Sequence, residues 1–322
     1  MAGRATGYTA RMKVVFFGTP EFAVPSLEAL SASRHEVVLV VSRPDKPVGR
    51  RRVLTPPPVA VRARELGLAV EQPRKLKSGP FPETFRRLRP DAAVVVAYGR
   101  FIPGPMLEVP RHGFVNLHPS LLPRHRGPSP IQWALAEGDR VTGVTTMLID
   151  EGMDTGPILL QREVAIRPGE TAPELSARLA AEGAALVVET LDGLEAGTVT
   201  PRPQPEEGAT VTPLLDRETG VVDWSLPAPA IVARFRAFTP WPGLHTVFRG
   251  RRLKLHGVET APAPPGEEPP GTVLAADGEG ILVRCGGETA VRITELQREG
   301  RRRLSAEAFL AGERIEPGER LG

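Results

Sequence analysis

The stretch DAAVVVAYGRFIPGPMLEVPRHGFVNLH (91–118) decides the fold. It opens on a continuous apolar run, DAAVVVAYG (91–99), and closes on a second, GFVNLH (113–118). Continuous runs of this kind, rich in β-branched residues, are strands covered on both faces. On the N-terminal side, MKVVFFG (12–18) and HEVVLVVS (35–42) repeat the pattern. Helical stretches lie between these runs. One follows Thr19, its expected cap, and turns Phe22, Leu27 and Leu30 inward. Another is VAVRARELG (59–67), ended by Gly67, and a third is PETFRRLRP (82–90), with Phe85 and Leu88 three apart. Strands spaced by helices predict an α/β fold with a mostly parallel sheet.

Further along, a helix is expected near Ser129–Glu137, followed by strands VTGVTTMLI (141–149) and GPILLQREVAI (156–166) as hairpin partners. The longest helix spans 171–197, with Leu175, Leu179, Leu186, Val187 and Leu191 on its buried side. GTVTPRPQPEEGATVTPLLD (197–216) then shows no apolar period and is rich in proline, which places a domain boundary there. Beyond a helix near VARFRAF (232–238), short strands punctuated by Gly and Asp follow at 245–260, 271–285 and 289–298. The expected fold class is therefore α/β, a Rossmann-like mostly parallel sheet domain followed by a small OB-like β-barrel domain. The expected division is 12–200, a linker at 201–214, and 215–322, with the residues before Met12 a frayed extension.

Composition narrows the class. The 322 residues carry 41 Lys+Arg against 38 Asp+Glu, a net charge of +3, and 41% are hydrophobic, which excludes a disordered or collagen-like chain. Cys285 is alone, so a disulfide framework is impossible and a reducing cytoplasmic location is expected, with Cys285 buried in a strand. No run approaches the roughly 18 apolar residues needed to span a bilayer, so no membrane partner is expected. The part from Glu207 onward holds 15 basic and 16 acidic residues and is not a generally basic nucleic-acid binder.

The chemistry concentrates in two places. In NLHPSLLPRHRG (116–127), Asn116 and His118 end a strand two residues apart and face the same way, towards the crevice where open α/β sheets bind ligands. In IDEGMDTGPIL (149–159), Asp150, Glu151 and Asp154 occupy a glycine-bounded loop that returns acid groups to the same edge. An amide donor, an imidazole and a carboxylate together suit acyl or formyl transfer: the amide serves a developing oxyanion and the carboxylate orients the imidazole and manages protons. Taken singly, the first pair also reads as strand-end hydrogen bonders and the second as an acidic surface turn. A third feature is SRPDKPVGRRRVLTPPPV (42–59), with five basic residues and one acid between Arg43 and Arg52, suited to phosphates or a nucleic-acid groove or to plain solvation. The turn after the first strand reads GTPEF, so the dinucleotide fingerprint is missing, and no GxxxxGK[ST], GxSxG, HExxH or CxxC occurs. No metal site is expected.

VVFFGTPEFA, SRPDKPVGR, VVVAYGRFIP, NLHPSLLPRHRGPSPIQWAL, TTMLIDEGMDTGPIL, VVDWS and RAFTPWPG carry a resemblance that runs from residue 14 to 243. The chain resembles the N10-formyltetrahydrofolate-dependent formyltransferases, and within them the branch acting on methionyl-tRNA. SLLPxxRG with DxGxDTG marks the folate-dependent family, and PDKPVGR, VDWS and FTPWP narrow it to the tRNA branch.

The resemblance implies that Asn116, His118 and Asp154 are catalytic, with N10-formyltetrahydrofolate as formyl donor cosubstrate and no metal. It implies a pterin site at Val95, Val96, Ala97, Tyr98 and Gly152, walled by Phe101 and Ile102, with Ser120, Leu121, Leu122, Pro123 and Gly127 shaping the crossover beside the formyl group. The implied acceptor is the α-amine of methionine on initiator tRNA, gripped by Arg43, Lys46, Arg50, Arg51 and Arg52 and held along its backbone by the second domain of a monomeric protein. Two positions depart from the pattern: Pro119 stands where Gly is common after the histidine, and Arg51 where Gly is common after the loop arginine. The alternatives are a relative formylating a nucleotide-sugar amine and a formyltetrahydrofolate hydrolase.

Overall fold

The computed structural model describes residues 11–49 and 52–322; residues 1–10 of the expected extension at 1–11 and the assignments to Arg50 and Arg51 lie outside them. In chain order the elements are β1 (Lys13–Gly18), α1 (Val24–Ala32), β2 (Glu36–Val41), β3 (Lys46–Val48), β4 (Val53–Thr55), α2 (Pro58–Glu65), β5 (Val70–Glu71), α3 (Phe81–Leu88), β6 (Ala92–Val96), α4 (Gly104–Leu107), β7 (Phe114–His118), α5 (Pro130–Ala136), β8 (Val141–Leu148), β9 (Ile158–Ala165), α6 (Ala172–Ala196), α7 (Ala228–Phe238), β10 (His245–Phe248), β11 (Arg251–Ala261), β12 (Val273–Asp277), β13 (Gly280–Cys285), β14 (Thr289–Arg298), β15 (Leu304–Ser305) and α8 (Ala306–Leu310). They form two units. One holds the chain up to Gly127, Val141–Ala165 and Ser176–Val211; the other holds Pro128–Arg140, Ile166–Leu175 and Thr212–Gly322.

In the first unit the strand order is β5-β2-β1-β6-β7-β8-β9. The first five are parallel, whereas β8 runs antiparallel to β7 and β9 antiparallel to β8. The mostly parallel sheet is thus as the continuous apolar runs require: Val14, Val15, Phe16 and Phe17 of β1 and Val94 and Val96 of β6 have no exposed surface. The sequence order reverses at β1, which pairs with β2 on one side and β6 on the other, so the carboxyl ends of these strands open a crevice. Below it, Phe17 meets Phe85 of α3 edge-on at 5.9 Å and Tyr98 at 5.5 Å, so the floor of the crevice rests on a rigid aromatic core.

Two local outcomes differ from the sequence expectation. Thr19 does not cap α1; its hydroxyl donates to the Tyr98 carbonyl at 3.0 Å, and a short 3-10 turn at Glu21–Ala23 leads into a helix begun by proline. The side chain thereby joins the ends of β1 and β6 across the crevice. The basic segment after β2 is not a simple loop either. It folds as the antiparallel hairpin β3–β4, with Lys46 opposite Thr55 and Val48 opposite Val53.

The long helix behaves as its pattern requires, with Leu175, Leu179, Leu186, Val187 and Leu191 buried. Thr190 and Thr146 join it to β8 through their hydroxyls at 2.8 Å, and it passes so near β7 that a side chain at Gly183 would stand 2.5 Å from Leu117. Helix α6 therefore backs the strand that carries Asn116 and His118.

The second unit is built on an antiparallel sheet of order β10-β11-β14-β13-β12, with β15 added beside β14. Register shifts near Leu255 and Gly257 bend β11, as bulges do in small curled sheets. Trp133 of α5 and Phe238 of α7 meet edge-on at 5.9 Å. Trp224 of the VDWS stretch is buried and donates its Nε1–H to Thr246 at 3.2 Å. Cys285 is buried on β13, and burial pushes its thiol pKa up to about 11. Among the described residues no helix is long and apolar enough to cross a membrane.

Candidate active site

Strand β7 presents Asn116 and His118 on one face, because successive strand side chains alternate. Asn116 sits between Val95 of β6 and Met147 of β8 in the sheet and is half-buried; His118 lies opposite Thr145 and is buried. The two central strands thus fix the spacing of the amide and the imidazole.

The loop between β8 and β9 delivers Asp154. Its Oδ2 lies 3.6 Å from His118 Nδ1. The other ring nitrogen, Nε2, donates to the His125 carbonyl at 2.8 Å, since a carbonyl can only accept. This contact fixes which nitrogen remains for chemistry: Nδ1, the one facing Asp154. The carboxylate is held in turn by the Gly127 N–H, which donates to Oδ2 at 2.8 Å. Gly127 adopts φ 92°, a left-handed backbone that favours glycine, and Asp154 itself has φ 55°. Gly156 closes the loop where an added Cβ would stand 1.8 Å from the Leu148 carbonyl.

The segment between His118 and Gly127 is braced from beneath. Thr145 is buried, and its hydroxyl donates to the Ser120 carbonyl at 2.6 Å while accepting from the Leu122 N–H at 3.2 Å and from Gln161 at 3.0 Å. Gln161 also donates to the Leu122 carbonyl at 2.9 Å. Leu122 packs with Met147 and Ile158, Leu121 lies against Gly143, and Pro123 accepts from the Thr210 N–H at 3.3 Å. Ser120 is buried and donates to the Arg124 carbonyl at 2.7 Å.

The residues assigned to the pterin divide. Val95 and Val96 are buried in β6, Ala97 is exposed with φ 46°, and Gly152 turns the acidic loop by donating its N–H to Asp150 at 3.0 Å. Tyr98 sends its ring into the aromatic core, where burial pushes its hydroxyl pKa up, so only its backbone faces the crevice rim. Ile102 is half-buried beside that core, whereas Phe101 is 76% exposed.

Of the basic residues, Arg43 is half-buried just past β2, its guanidinium near Gly99. Lys46 and Arg52 are exposed on the hairpin. A groove of about 340 Å³ lies between the end of β1 and the hairpin base, lined by Thr19, Glu21, Arg43, Lys46 and Thr55 among others. Thr145 and Gln204 were not singled out from the sequence; Gln204 lies in a stretch without apolar period and leaves no signal there.

An amide on an inner strand, an imidazole with one nitrogen committed to the backbone and a carboxylate facing the other are chemically suited to acyl-group transfer. The chain belongs to the formyl transferase family: residues 12–191 match the formyl transferase domain and residues 214–314 its C-terminal domain. A methionyl-tRNA formyltransferase of Deinococcus radiodurans is 51% identical over 96% of this chain and 95% of that protein. One of Acidobacterium capsulatum is 50% identical over 97% of this chain and 100% of that protein. The N-formyltransferase of Helicobacter canadensis, solved with folinic acid and dTDP-3-aminofucose, shares the fold with a TM-score of 0.67 at 16% identity, over 90% of this chain and 100% of that one.

Proposed function

We propose that this protein transfers the formyl group of N10-formyltetrahydrofolate to the α-amine of methionine esterified to initiator tRNA. The observation that carries the reading is the meeting of His118 Nδ1 and Asp154 Oδ2 at 3.6 Å beside Asn116, in a chain that methionyl-tRNA formyltransferases match almost end to end.

The donor supplies a formyl carbon bonded to a nitrogen that leaves as an amine. The site suits it: the exposed turn at Ala97 and the glycine-bounded acidic loop flank Asn116 and His118. Asn116 donates its amide N–H to the oxygen of the formyl group as negative charge develops there. His118 commits Nε2 as a donor to the His125 carbonyl, so Nδ1 is the nitrogen that faces Asp154 and takes part in proton movement. Asp154 orients the imidazole and takes a proton from the attacking amine, and that proton passes to N10 as its bond to the formyl carbon breaks, so the donor leaves as a neutral amine. At 3.6 Å from Nδ1 the carboxylate stands just beyond hydrogen-bond distance, so a small shift of either group brings the two into contact. This chemistry uses charge and proton transfer and calls on no metal ion.

The basic segment of sequence 43–52, through Arg43, Lys46, Arg50, Arg51 and Arg52, meets the acceptor end of the tRNA, and the antiparallel unit holds the tRNA backbone. Phosphate contacts position the RNA, while selection comes from the ease of opening an unpaired first base pair. The protein acts as a cytoplasmic monomer.

Donor consumption with and without charged initiator tRNA tests the reaction class. Consumption that requires the charged tRNA supports transfer. Release of formate at the same rate without any amine contradicts it and makes the protein a hydrolase.

A further inference from the structure

We propose that Gln204 is a positioning residue for Asp154, joining the two loops that meet at the site. The inference rests on the proposed transfer reaction and adds a part to it. Gln204 comes from the polar stretch after α6. That stretch returns to β9 and to the loop after β7 through backbone bridges at Arg202–Ile158 and Val211–Arg126.

The side-chain amide of Gln204 uses both ends. Its Nε2 donates to the carbonyls of Asp154 and Gly156, each at 2.8 Å. Its Oε1 accepts from Arg126 Nε at 2.9 Å. Arg126 precedes Gly127, whose N–H donates to Asp154 Oδ2 at 2.8 Å. The contacts close a ring: the Asp154 carboxylate, the Gly127 amide, the Arg126 side chain, the Gln204 amide, and back to the Asp154 carbonyl. Arg126 is buried, and its own N–H donates to the Thr210 carbonyl at 2.8 Å.

The ring explains how Asp154 is kept at φ 55°, a backbone region that a non-glycine residue occupies only when its surroundings hold it there. Fixing the carbonyls on both sides of Thr155 fixes the direction of the Asp154 side chain. The distance between Asp154 Oδ2 and His118 Nδ1 therefore depends on Gln204, which touches neither atom. No other residue type of this length supplies two donors and an acceptor in one planar group without charge.

The test is a set of variants in single-turnover formyl transfer to charged initiator tRNA: Gln204→Leu, Asp154→Asn and the double variant, with melting temperature read alongside. Gln204→Leu is expected to lower the transfer rate about 10–100-fold while KM for the charged tRNA changes little. In the Asp154→Asn background the same substitution is expected to change the rate by less than about twofold, because the group it positions is already gone. A loss of equal size in both backgrounds, or no loss in the first, overturns the proposal. If Asp154→Asn alone leaves transfer intact, the assignment of Asp154 fails instead, and the two failures are distinguishable. Should Gln204→Leu not fold, Gln204→Glu replaces it, since it keeps an acceptor for Arg126 and loses both donors; the same pattern is expected. Loss of the fold in both variants overturns the proposal, because it makes Gln204 a stability residue.

Discussion

His118 and Asp154 face each other through Nδ1 and Oδ2 at 3.6 Å, a separation longer than a hydrogen bond, while the far nitrogen of the ring is tied to the His125 backbone. The imidazole cannot rotate to serve substrate through Nε2 without breaking that tie. The carboxylate cannot drift because the Gly127 N–H holds the same oxygen. The pair is thus fixed in direction yet separated by enough space for a transferring proton.

Asn116 is assigned the oxyanion. Asn116→Ala is expected to lose about 10²–10³ in transfer rate, the usual effect of removing one oxyanion donor, with tRNA affinity retained. Single-turnover rates beside filter-binding affinities check it, and a near-normal rate would remove Asn116 from the chemistry.

Thr145 braces the loop after β7 from beneath through the Ser120 carbonyl and the Leu122 N–H. Thr145→Val keeps the shape and removes the hydroxyl, leaving buried polar groups without it. The expected cost is about 1–3 kcal/mol of stability. Urea unfolding measures it, and a change below about 0.5 kcal/mol would mean that the brace carries little.

The fold and the site differ in how far the sequence reveals them. Val14–Phe17 and Ala92–Val96 are apolar at every position because both faces are covered, and that alone calls for a parallel sheet between helices. Asn116 and His118 stand out because polar residues end such a strand. The β3–β4 hairpin was hidden because its strands are three residues long and exposed, so burial imposes no alternation on them. Thr19 has a capping residue's chemistry, but Pro25 starts the helix and the hydroxyl finds the Tyr98 carbonyl instead. Gln204 was illegible for a further reason. Its partners lie about 50 and 78 residues away, and a side-chain-to-backbone contact across that distance has no period.

His35 is buried with its Nε2 3.1 Å from Asp192, and burial lowers its pKa more than the carboxylate raises it. His245 and His256 are lowered by burial too. A histidine whose folded pKa lies below its unfolded value of about 6.5 contributes stability above that pH and loses it as pH falls through the folded pKa. Melting temperature is therefore expected to drop as pH falls below about 6.5, and His35→Gln to flatten part of that drop. An unchanged slope in the variant would remove His35 as a source.

Cys285 is buried, with its thiol pKa at about 11. It is expected to resist a thiol reagent near neutral pH in the native protein and to react on unfolding. Rapid labelling of native protein would contradict its placement on β13.

Transfer of labelled formyl from N10-formyltetrahydrofolate to methionine charged on initiator tRNA, with charged elongator tRNA in parallel, tests donor and acceptor together. Rapid labelling of the initiator alone is expected, with loss of that discrimination in Arg50→Ala. Equal labelling of both tRNAs by the parent protein would contradict the assigned acceptor, and no labelling of either by folded protein would contradict the catalytic assignment itself.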